Sequence, residues 1–279
     1  FDQPVITQYL YYLNDLSLLS FHSNSPEDYT FLESHPYSFQ PLFETANTTV
    51  VLKYPYLRTS FTKQGKQVSQ ILKETLPNTI ILAVASICIA LVLGLFLGVI
   101  SALYKDHWVD KTILVVSTFG MSLPSFFSAI LAAWIFGFLL HEYTGLEMTG
   151  SLYELDDFGD VYQLKLKNLI LPALVLGIRP LAVVTQLMRN SLLEVFNQDF
   201  IRTARAKGLS EFQIITKHAM KNALNPVVTA ISGWFASLLA GAVFVEYIFA
   251  WNGLGKEIVN ALNTLDLPVI MGAVLIIAL

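Results

Sequence analysis

The chain has 279 residues, of which 54% are hydrophobic and 14% are charged, and its formal net charge is −4. With a mean hydropathy of +0.56, it is too apolar for an ordinary soluble domain of this length, so the composition predicts a membrane protein. The negative charge argues against nucleic acid as the main partner. The single cysteine, Cys88, excludes a disulfide framework and a cysteine metal site.

The first 64 residues differ in character from the rest of the chain. Aromatic, charged, serine and proline residues are scattered through them, which predicts an extracytoplasmic insertion of mixed structure at 1–64 and a transmembrane domain at 65–279. Val68, Ile71, Leu72 and Leu76 then recur at helical spacing. An amphipathic interfacial helix is therefore expected to lead into the first span.

Five apolar runs are candidates for membrane-spanning helices, because about 20 apolar residues are needed to cross the hydrocarbon core. They lie at 75–104, 112–140, 168–188, 222–247 and 267–279, and the last run ends before it reaches that length. The third run is interrupted only by Arg179, and Glu246 lies near the end of the fourth.

Charges in the connecting loops predict the orientation, since Lys and Arg are enriched in cytoplasmic loops. The loop 189–221 holds six cations: Arg189, Arg202, Arg205, Lys207, Lys217 and Lys221. The loop 141–167 holds two lysines against six carboxylates: Glu142, Glu147, Glu154, Asp156, Asp157 and Asp160. We expect the first loop inside and the second outside, with residues 1–74 outside and one further span preceding the chain.

The cytoplasmic loop contains a segment, residues 199–221, that we call the elbow. Asp199 is a candidate N-cap for a short helix over 202–207 that carries cations in its last turn. Gly208 is expected to end this helix in the left-handed conformation. Ser210 and Gln213 form a capping box that predicts a second helix, whose apolar positions are Phe212, Ile214 and Ile215.

A longer motif surrounds the elbow. Its residues are Arg189, Ser191, Glu194, Val195, Asp199, Phe200, the run 202–208, His218, Ala219, Lys221, Asn222, Ala223 and Pro226. This pattern resembles the cytoplasmic "EAA" loop of bacterial ABC importer permeases, most closely the dipeptide, oligopeptide and nickel branch. Arg202 and Thr203 stand where the general signature has Glu and Ala, a departure that agrees with the peptide branch.

The resemblance implies an all-α polytopic membrane protein, a type I ABC importer permease bundle, with five spans in this chain and a sixth preceding it. It implies a multi-pass subunit of the bacterial cytoplasmic (inner) membrane that moves peptides or similar small solutes. The partners would be a second permease subunit in a heterodimer, two cytoplasmic ATPase subunits, an extracytoplasmic solute-binding protein and the lipid membrane. The chain itself would be no enzyme and hold no cofactor, with ATP and Mg in the ATPase subunits.

The resemblance also implies roles for particular residues. Residues of the elbow would couple to the ATPase subunits: Asp199, Arg202, Ala204, Arg205, Lys207 and Gly208. Ala204 and Gly208 would allow close approach in a docking groove, and the cations would contact the partner's rim. Pro124 lies in an S-x-P-x-F motif of the branch, and it either bends a helix toward the solute pathway or serves packing alone.

Arg179 is a candidate pathway residue, because a cation midway along a span is costly and usually faces protein or water. It could attract a solute carboxylate, pair with Glu246, or lie nearer a membrane interface than the run suggests. Glu246 itself is expected to be a rim or pairing residue.

The segment 249–255 resembles a turn of the same branch, with Asn252 in place of the usual proline. Its tryptophan, Trp251, would be an interfacial anchor or part of a gate. The overlapping Gly-Leu-Gly-Lys at 253–256 is no phosphate-binding loop, since Ala250 replaces the first glycine and Glu257 the Ser/Thr.

Alternative functions stay open on the residues alone. A membrane subunit of an exporter, or a non-transporting scaffold that recruits cytoplasmic partners, would share the spans and the charged loop. A DNA-binding helix-turn-helix in the elbow is disfavoured, because spans on both sides leave no room for a duplex. An intramembrane enzyme would need paired catalytic groups, and Arg179 with Glu246 forms no such pair.

Overall fold

The computed structural model describes residues 3–34, 37–156, 159 and 161–278. Asp157, Asp160 and Leu279 therefore lie outside the described residues. The predominantly helical fold is confirmed, although two small antiparallel sheets add strands that an all-α protein would lack. The chain packs as two compact units, one of residues 1–73 and 261–279 and one of residues 74–260.

The first unit is built around a three-stranded antiparallel sheet. Its strands are β1 (Leu19–Ser23), β2 (Phe39–Glu44) and β3 (Thr48–Lys53), and their order in the sheet is β1-β3-β2. The β-branched run Thr48–Lys53 forms the central strand, and Pro41 lies on an edge strand, where its missing N–H is tolerated. Two helical elements accompany these strands in the N-terminal part of the unit. They are α1 (Val5–Leu16) and a 3₁₀ turn (Leu32–Ser34).

The core of this unit is unusually polar. Asp15 is buried, and its carboxylate accepts a hydrogen bond from Arg58 Nε at 2.8 Å. Lys53 Nζ donates to the Asp15 carbonyl, so both cations converge on one residue. Strand β1 buries Ser20 and His22 and exposes Leu19 and Phe21, the reverse of the usual alternation. The sequence therefore predicted mixed structure here without predicting which face would be buried.

Most of the second unit is formed by long helices. The helices from here to the end of the chain are α2 (Val68–Leu103), α3 (Trp108–Ser122), α4 (Ser125–Ala132), a π-helical continuation (Ala133–Leu139), α5 (His141–Thr144), α6 (Lys167–Phe196), α7 (Asp199–Ala206), α8 (Glu211–Gln213), a second π-helix (Ile214–Ala219), α9 (Met220–Ala223), α10 (Asn225–Ile248), α11 (Leu254–Asn263) and α12 (Leu267–Ala278). A two-stranded sheet of β4 (Tyr153–Leu155) and β5 (Tyr162–Leu164) lies in the loop before α6.

Helix α6 is central to this unit and packs against α3, α4 and α10. Glycines permit its close approach to α2: a Cβ on Gly98 would lie 2.7 Å from Met188 Cβ, and one on Gly177 would lie 2.9 Å from the Ser86 carbonyl oxygen. Small residues of this kind are the usual means by which helices approach closely in a membrane, where the lipid tails are as apolar as the side chains.

Among the described residues, three helices are long and apolar enough to span a membrane: α2, α6 and α10. They contain or largely coincide with the predicted runs 75–104, 168–188 and 222–247. The run 112–140 differs, because α3 and α4 with its continuation are bent by 106° at a break rather than forming one straight helix. Helix α12 is apolar but only 12 residues long.

Two features at the start of the predicted transmembrane domain differ from expectation. Val68, Ile71 and Leu72 are buried in the first unit and belong to α2 itself, so they are not on a separate interfacial helix. A Cβ on Gly272 of α12 would meet Val68 Cγ1 at 2.6 Å, which shows how closely these helices pack. The last helix thus packs within the first unit, together with the N-terminal part of the chain.

Asp266, at the start of α12, ties that helix to the loop after β3. Its carboxylate is buried and accepts hydrogen bonds from Thr62 Oγ1 at 2.8 Å, the Phe61 N–H at 3.1 Å and Ser60 Oγ. Burial raises the pKa of Asp266, but these hydrogen bonds outweigh it and hold the pKa below its usual range.

Asp266→Ala is expected to destabilise the protein by about 3 kcal/mol, because it leaves buried donors without an acceptor. Thermal unfolding of the purified chain in detergent at pH 7 measures this, with the exposed Glu44→Ala as the control. Since the folded-state pKa is lowered, the stabilisation is complete above about pH 4 and is lost as the pH falls further. An equal loss in both variants would contradict the assignment.

Candidate functional site

The first helix of the elbow ends as predicted. Gly208 has a φ of +77°, in the left-handed region, and α7 ends at Ala206 just before it. The start differs: Gln198 occupies the N-cap position without a side-chain cap, and Asp199 is the first helical residue. The Asp199 side chain instead lies 3.4 Å from Arg202 Nη1, one turn along the exposed face.

The second helix begins at the predicted capping box. Ser210 Oγ accepts from the Gln213 N–H at 3.4 Å, and Gln213 Oε1 accepts from the Ser210 N–H at 3.2 Å. The helix then widens into the π-helix Ile214–Ala219, a form of helix that is frequently found at functional sites.

The elbow is packed firmly onto α6. A buried apolar cluster joins Met188 and Leu192 of α6 to Ile201, Ala204 and Ile214 of the elbow. Ile201 and Ile214 are fully buried, so displacing the elbow from α6 would expose large apolar side chains. Ala204 is only 5% exposed, and its small size therefore serves packing on α6 rather than a docking groove.

The opposite face of the elbow is polar and exposed. Arg205 contacts Glu211 across the Gly208 turn, with Nε 2.9 Å from Oε1, while Arg202 and Lys207 are also exposed. A Cβ at Gly208 would meet nothing within 4 Å, so glycine is required here by its backbone conformation and not by a close neighbour within the chain.

Phe212 was expected to be an apolar position of the second helix, but it is 75% exposed. It stands beside the cations on the outer face of the elbow, where a large aromatic side chain is normally found at a binding surface. Its place in the first turn, two residues after the N-cap Ser210 and before the buried pair Ile214 and Ile215, was the sequence signal for this exposure. We call Arg202, Arg205, Lys207, Gly208 and Phe212 the outer face of the elbow.

Arg179 and Pro124 meet at the break between α3 and α4. Pro124 precedes the first residue of α4, with φ −61° and ψ 138°, and Arg179 Nη2 donates to the adjoining Leu123 carbonyl at 3.5 Å. The guanidinium borders a small cleft of about 50 Å³ whose other polar lining residues are Ser125, Ser128, Trp234 and Ser237. The structure thus brings together the two residues predicted for a solute pathway.

Glu246 is no partner of Arg179, which removes one of the alternatives. It is fully buried, and its Oε2 accepts hydrogen bonds from the N–H groups of Gly255 at 2.6 Å and Lys256 at 3.3 Å. The carboxylate therefore caps the N-terminus of α11, where backbone donors and the helix dipole favour a negative charge. The expectation of a rim residue was wrong, because nothing in a linear run reveals a helix that begins eight residues ahead.

The turn after α10 is held by buried contacts. Trp251 is fully buried, and its Nε1 donates to the Asn78 carbonyl at 3.1 Å, so it is not an interfacial anchor. Asn252, in place of proline, uses its N–H to donate to Ser151 Oγ at 3.0 Å, while its Oδ1 accepts from Lys256 Nζ at 2.8 Å. Hydrogen bonds replace the restriction that a proline would impose.

Comparisons with known proteins identify relatives of the chain. The family model described as "Binding-protein-dependent transport system inner membrane component" matches residues 94–279. The dipeptide transport system permease protein DppB of Haemophilus influenzae is 41% identical over 216 residues, which cover 72% of this chain and 64% of that protein. DppB of Bacillus subtilis is 37% identical over 213 residues, which cover 76% of this chain and 64% of that protein.

A provisionally named peptide permease protein of Brucella suis biovar 1 is 39% identical over 218 residues, which cover 78% of this chain and 67% of that protein. The matched region thus spans about two thirds of the length of each relative, and slightly less in the two DppB proteins.

Gly255→Ala is expected to lower the free energy of unfolding by about 2 kcal/mol, since overpacking forces backbone to move. An added Cβ would lie 2.4 Å from Val243 Cα and 2.9 Å from Glu246 Oε2. Gly233→Ala in α10 is the matched control, because a Cβ there meets nothing within 4 Å. Thermal unfolding in detergent compares the two, and equal melting temperatures would show that the close contact is unimportant.

Proposed function

The chain belongs to the family of binding-protein-dependent transport system inner membrane components, and we propose that it is the permease subunit of an ABC importer for peptides. The observation that carries the proposal is the elbow: a rigid, cationic segment fixed to a central helix, with an aromatic side chain on its outer face. Dependence on a binding protein favours import over export, because an exporter collects its solute from the cytosol. A non-transporting scaffold would likewise not require a solute-binding protein.

The energy for transport comes from partner subunits in this proposal. Two cytoplasmic ATPase subunits hold ATP and Mg, a second permease completes a heterodimer, and an extracytoplasmic solute-binding protein delivers the solute. Packing around the Gly-Leu-Gly-Lys segment supports this division of labour. Gly253 and Gly255 lie directly against Glu246, whose carboxylate occupies the helix N-terminus where a phosphate would otherwise bind.

The outer face of the elbow is the proposed contact with an ATPase subunit. Phe212 supplies an apolar anchor, and Arg202 and Lys207 supply charge beside it, an arrangement of aromatic centre and polar rim that protein interfaces favour. The inner face transmits the movement, because Ile201 and Ile214 are buried against α6. ATP-driven closure of the ATPases would then shift the elbow and α6 together, as a two-state change.

Arg179 is the proposed solute-contacting residue of the pathway. It is exposed at the break between α3 and α4, and no carboxylate lies within salt-bridge distance of it in the described part of the chain. A cation kept unpaired at membrane depth is costly unless it serves a pathway. A peptide has a C-terminal carboxylate that could pair with this guanidinium during passage.

Gly208→Trp is expected to abolish uptake and to reduce co-purification of the ATPase subunits, while membrane insertion stays normal. A Cβ at position 208 meets nothing within 4 Å, so no neighbour within the chain excludes a side chain there, and normal thermal unfolding of the variant excludes an effect of backbone strain at the φ of +77°. Gly208→Asn is the matched control, because asparagine tolerates the left-handed conformation and is small. Uptake of labelled peptides by a complemented deletion strain measures the effect, and normal uptake by the tryptophan variant would refute the docking role.

Arg179→Gln is expected to reduce uptake of peptides with a free C-terminus by about tenfold, the size of one charge-assisted hydrogen bond. Uptake of the same peptides with an amidated C-terminus should change little, and Arg179→Lys should retain most of the activity. Competition between free and amidated peptides in proteoliposomes gives the ratio directly. An equal loss for both peptide forms would show that Arg179 serves the fold and not the solute.

A further inference from the structure

A buried ion pair joins the helices beside the elbow. Asp110, in the first turn of α3, is 1% exposed. Its two carboxylate oxygens accept from Arg189 of α6, Oδ1 from Nε at 2.7 Å and Oδ2 from Nη2 at 2.6 Å. This bidentate geometry fixes the relative orientation of the two groups as well as their distance.

Two further donors complete the site around the same carboxylate. Ser101, fully buried near the end of α2, donates its hydroxyl to Oδ1, and the Asp106 N–H donates to Oδ2 at 3.0 Å. Asp106 has a φ of 63° within the short link between α2 and α3. Asp110 therefore receives four hydrogen bonds, and these connect α2, α3 and α6 at one point.

The ion pair lies next to the apolar cluster that holds the elbow. Arg189 precedes the end of α6 at Phe196 by two helical turns, or about 10 Å. Its neighbour Met188 packs in the cluster with Ile201 of the elbow, and Ala102, the neighbour of Ser101, belongs to the same cluster. Arg189 and Ser101, which both donate to Asp110, are thus each next to a residue of the cluster that holds the elbow.

Apolar packing and a bidentate ion pair resist movement differently. Apolar contact is non-directional. It therefore keeps two surfaces together but opposes small shifts parallel to the surface less strongly than it opposes separation. Two parallel hydrogen bonds between charged groups allow neither sliding nor rotation without breaking, and a lone buried charge would be left behind. The cluster can therefore pass a displacement of the elbow to α6, and the ion pair adds to the close helix packing a directional constraint that makes α2 and α3 follow in register.

We infer that the Asp110–Arg189 ion pair is a positioning joint of the transport cycle. It makes α2 and α3 move with α6 when the elbow is displaced, so that ATP hydrolysis is converted into movement at the pathway. The inference rests on the proposed function and deepens it. Asp110 and Arg189 contact neither ATP nor solute, and they act through the helices that they hold together.

The test uses the complete transporter in proteoliposomes, with both permeases, both ATPases and the binding protein. The solute is a mixture of isotope-labelled di- to pentapeptides from a protein hydrolysate, and the readout is solute taken up per ATP hydrolysed. The decisive variant is Asp110→Leu with Arg189→Met, which removes both charges and so leaves no lone buried charge. We expect this variant to assemble normally and to lose about tenfold in the uptake ratio.

Two single variants complete the design. Arg189→Lys keeps the charge but loses the bidentate contact, and its uptake ratio should fall by at least about fivefold. Lys111→Met removes an exposed cation next to Asp110 and should leave the ratio unchanged. If the double variant does not assemble, Arg189→Lys decides the question in the same assay.

A ratio within twofold of the wild type in the double variant, or in Arg189→Lys where that variant decides, would overturn the inference and leave the pair a role in stability alone. Failure of the wild-type complex to show any ATP-dependent uptake would instead contradict the proposed function. The two failures are therefore distinguishable within one experiment.

Discussion

The packing of the elbow on α6 is the contact on which the rest of the second unit depends. Ile201 and Ile214 are fully buried in one cluster with Met188 and Leu192, so separating the elbow from the helix would expose large apolar side chains. Because the inner face is buried in this way, the polar outer face stays exposed, which supports its proposed contact with an ATPase subunit. The same helix contains Arg189 and Arg179, and it thereby links the elbow to the cleft at the break between α3 and α4.

Local patterns were predicted well from the sequence. The left-handed Gly208, the capping box of Ser210 and Gln213, and the long apolar helices each depend on residues that are close in the chain. Features that depend on distant partners were not predicted. No spacing rule indicates that Glu246 caps a helix that begins after the next turn, or that Asp110 meets Arg189 across 79 positions. The 106° bend at Pro124 also needed the structure, since proline permits a break without fixing its angle.

Three of the buried carboxylates in the described residues share one kind of environment. Glu246, Asp110 and Asp266 each lose their water and receive backbone N–H groups together with hydroxyl, guanidinium or further amide donors in return. Each carboxylate holds together segments that are separate in sequence. Such groups are costly to bury and costly to remove, so they specify one arrangement of helices where apolar packing alone would accept several.

Asn252 fixes the conformation of its turn by hydrogen bonds, where a proline would fix it by its pyrrolidine ring. A proline would restrict the unfolded chain as well, and its benefit would be an entropic one that persists on warming. The asparagine leaves the unfolded chain free and gains its order from Ser151 and Lys256 only once the turn has formed. The turn is therefore enthalpically held, and it should loosen with heat earlier than a proline-containing turn of the same shape.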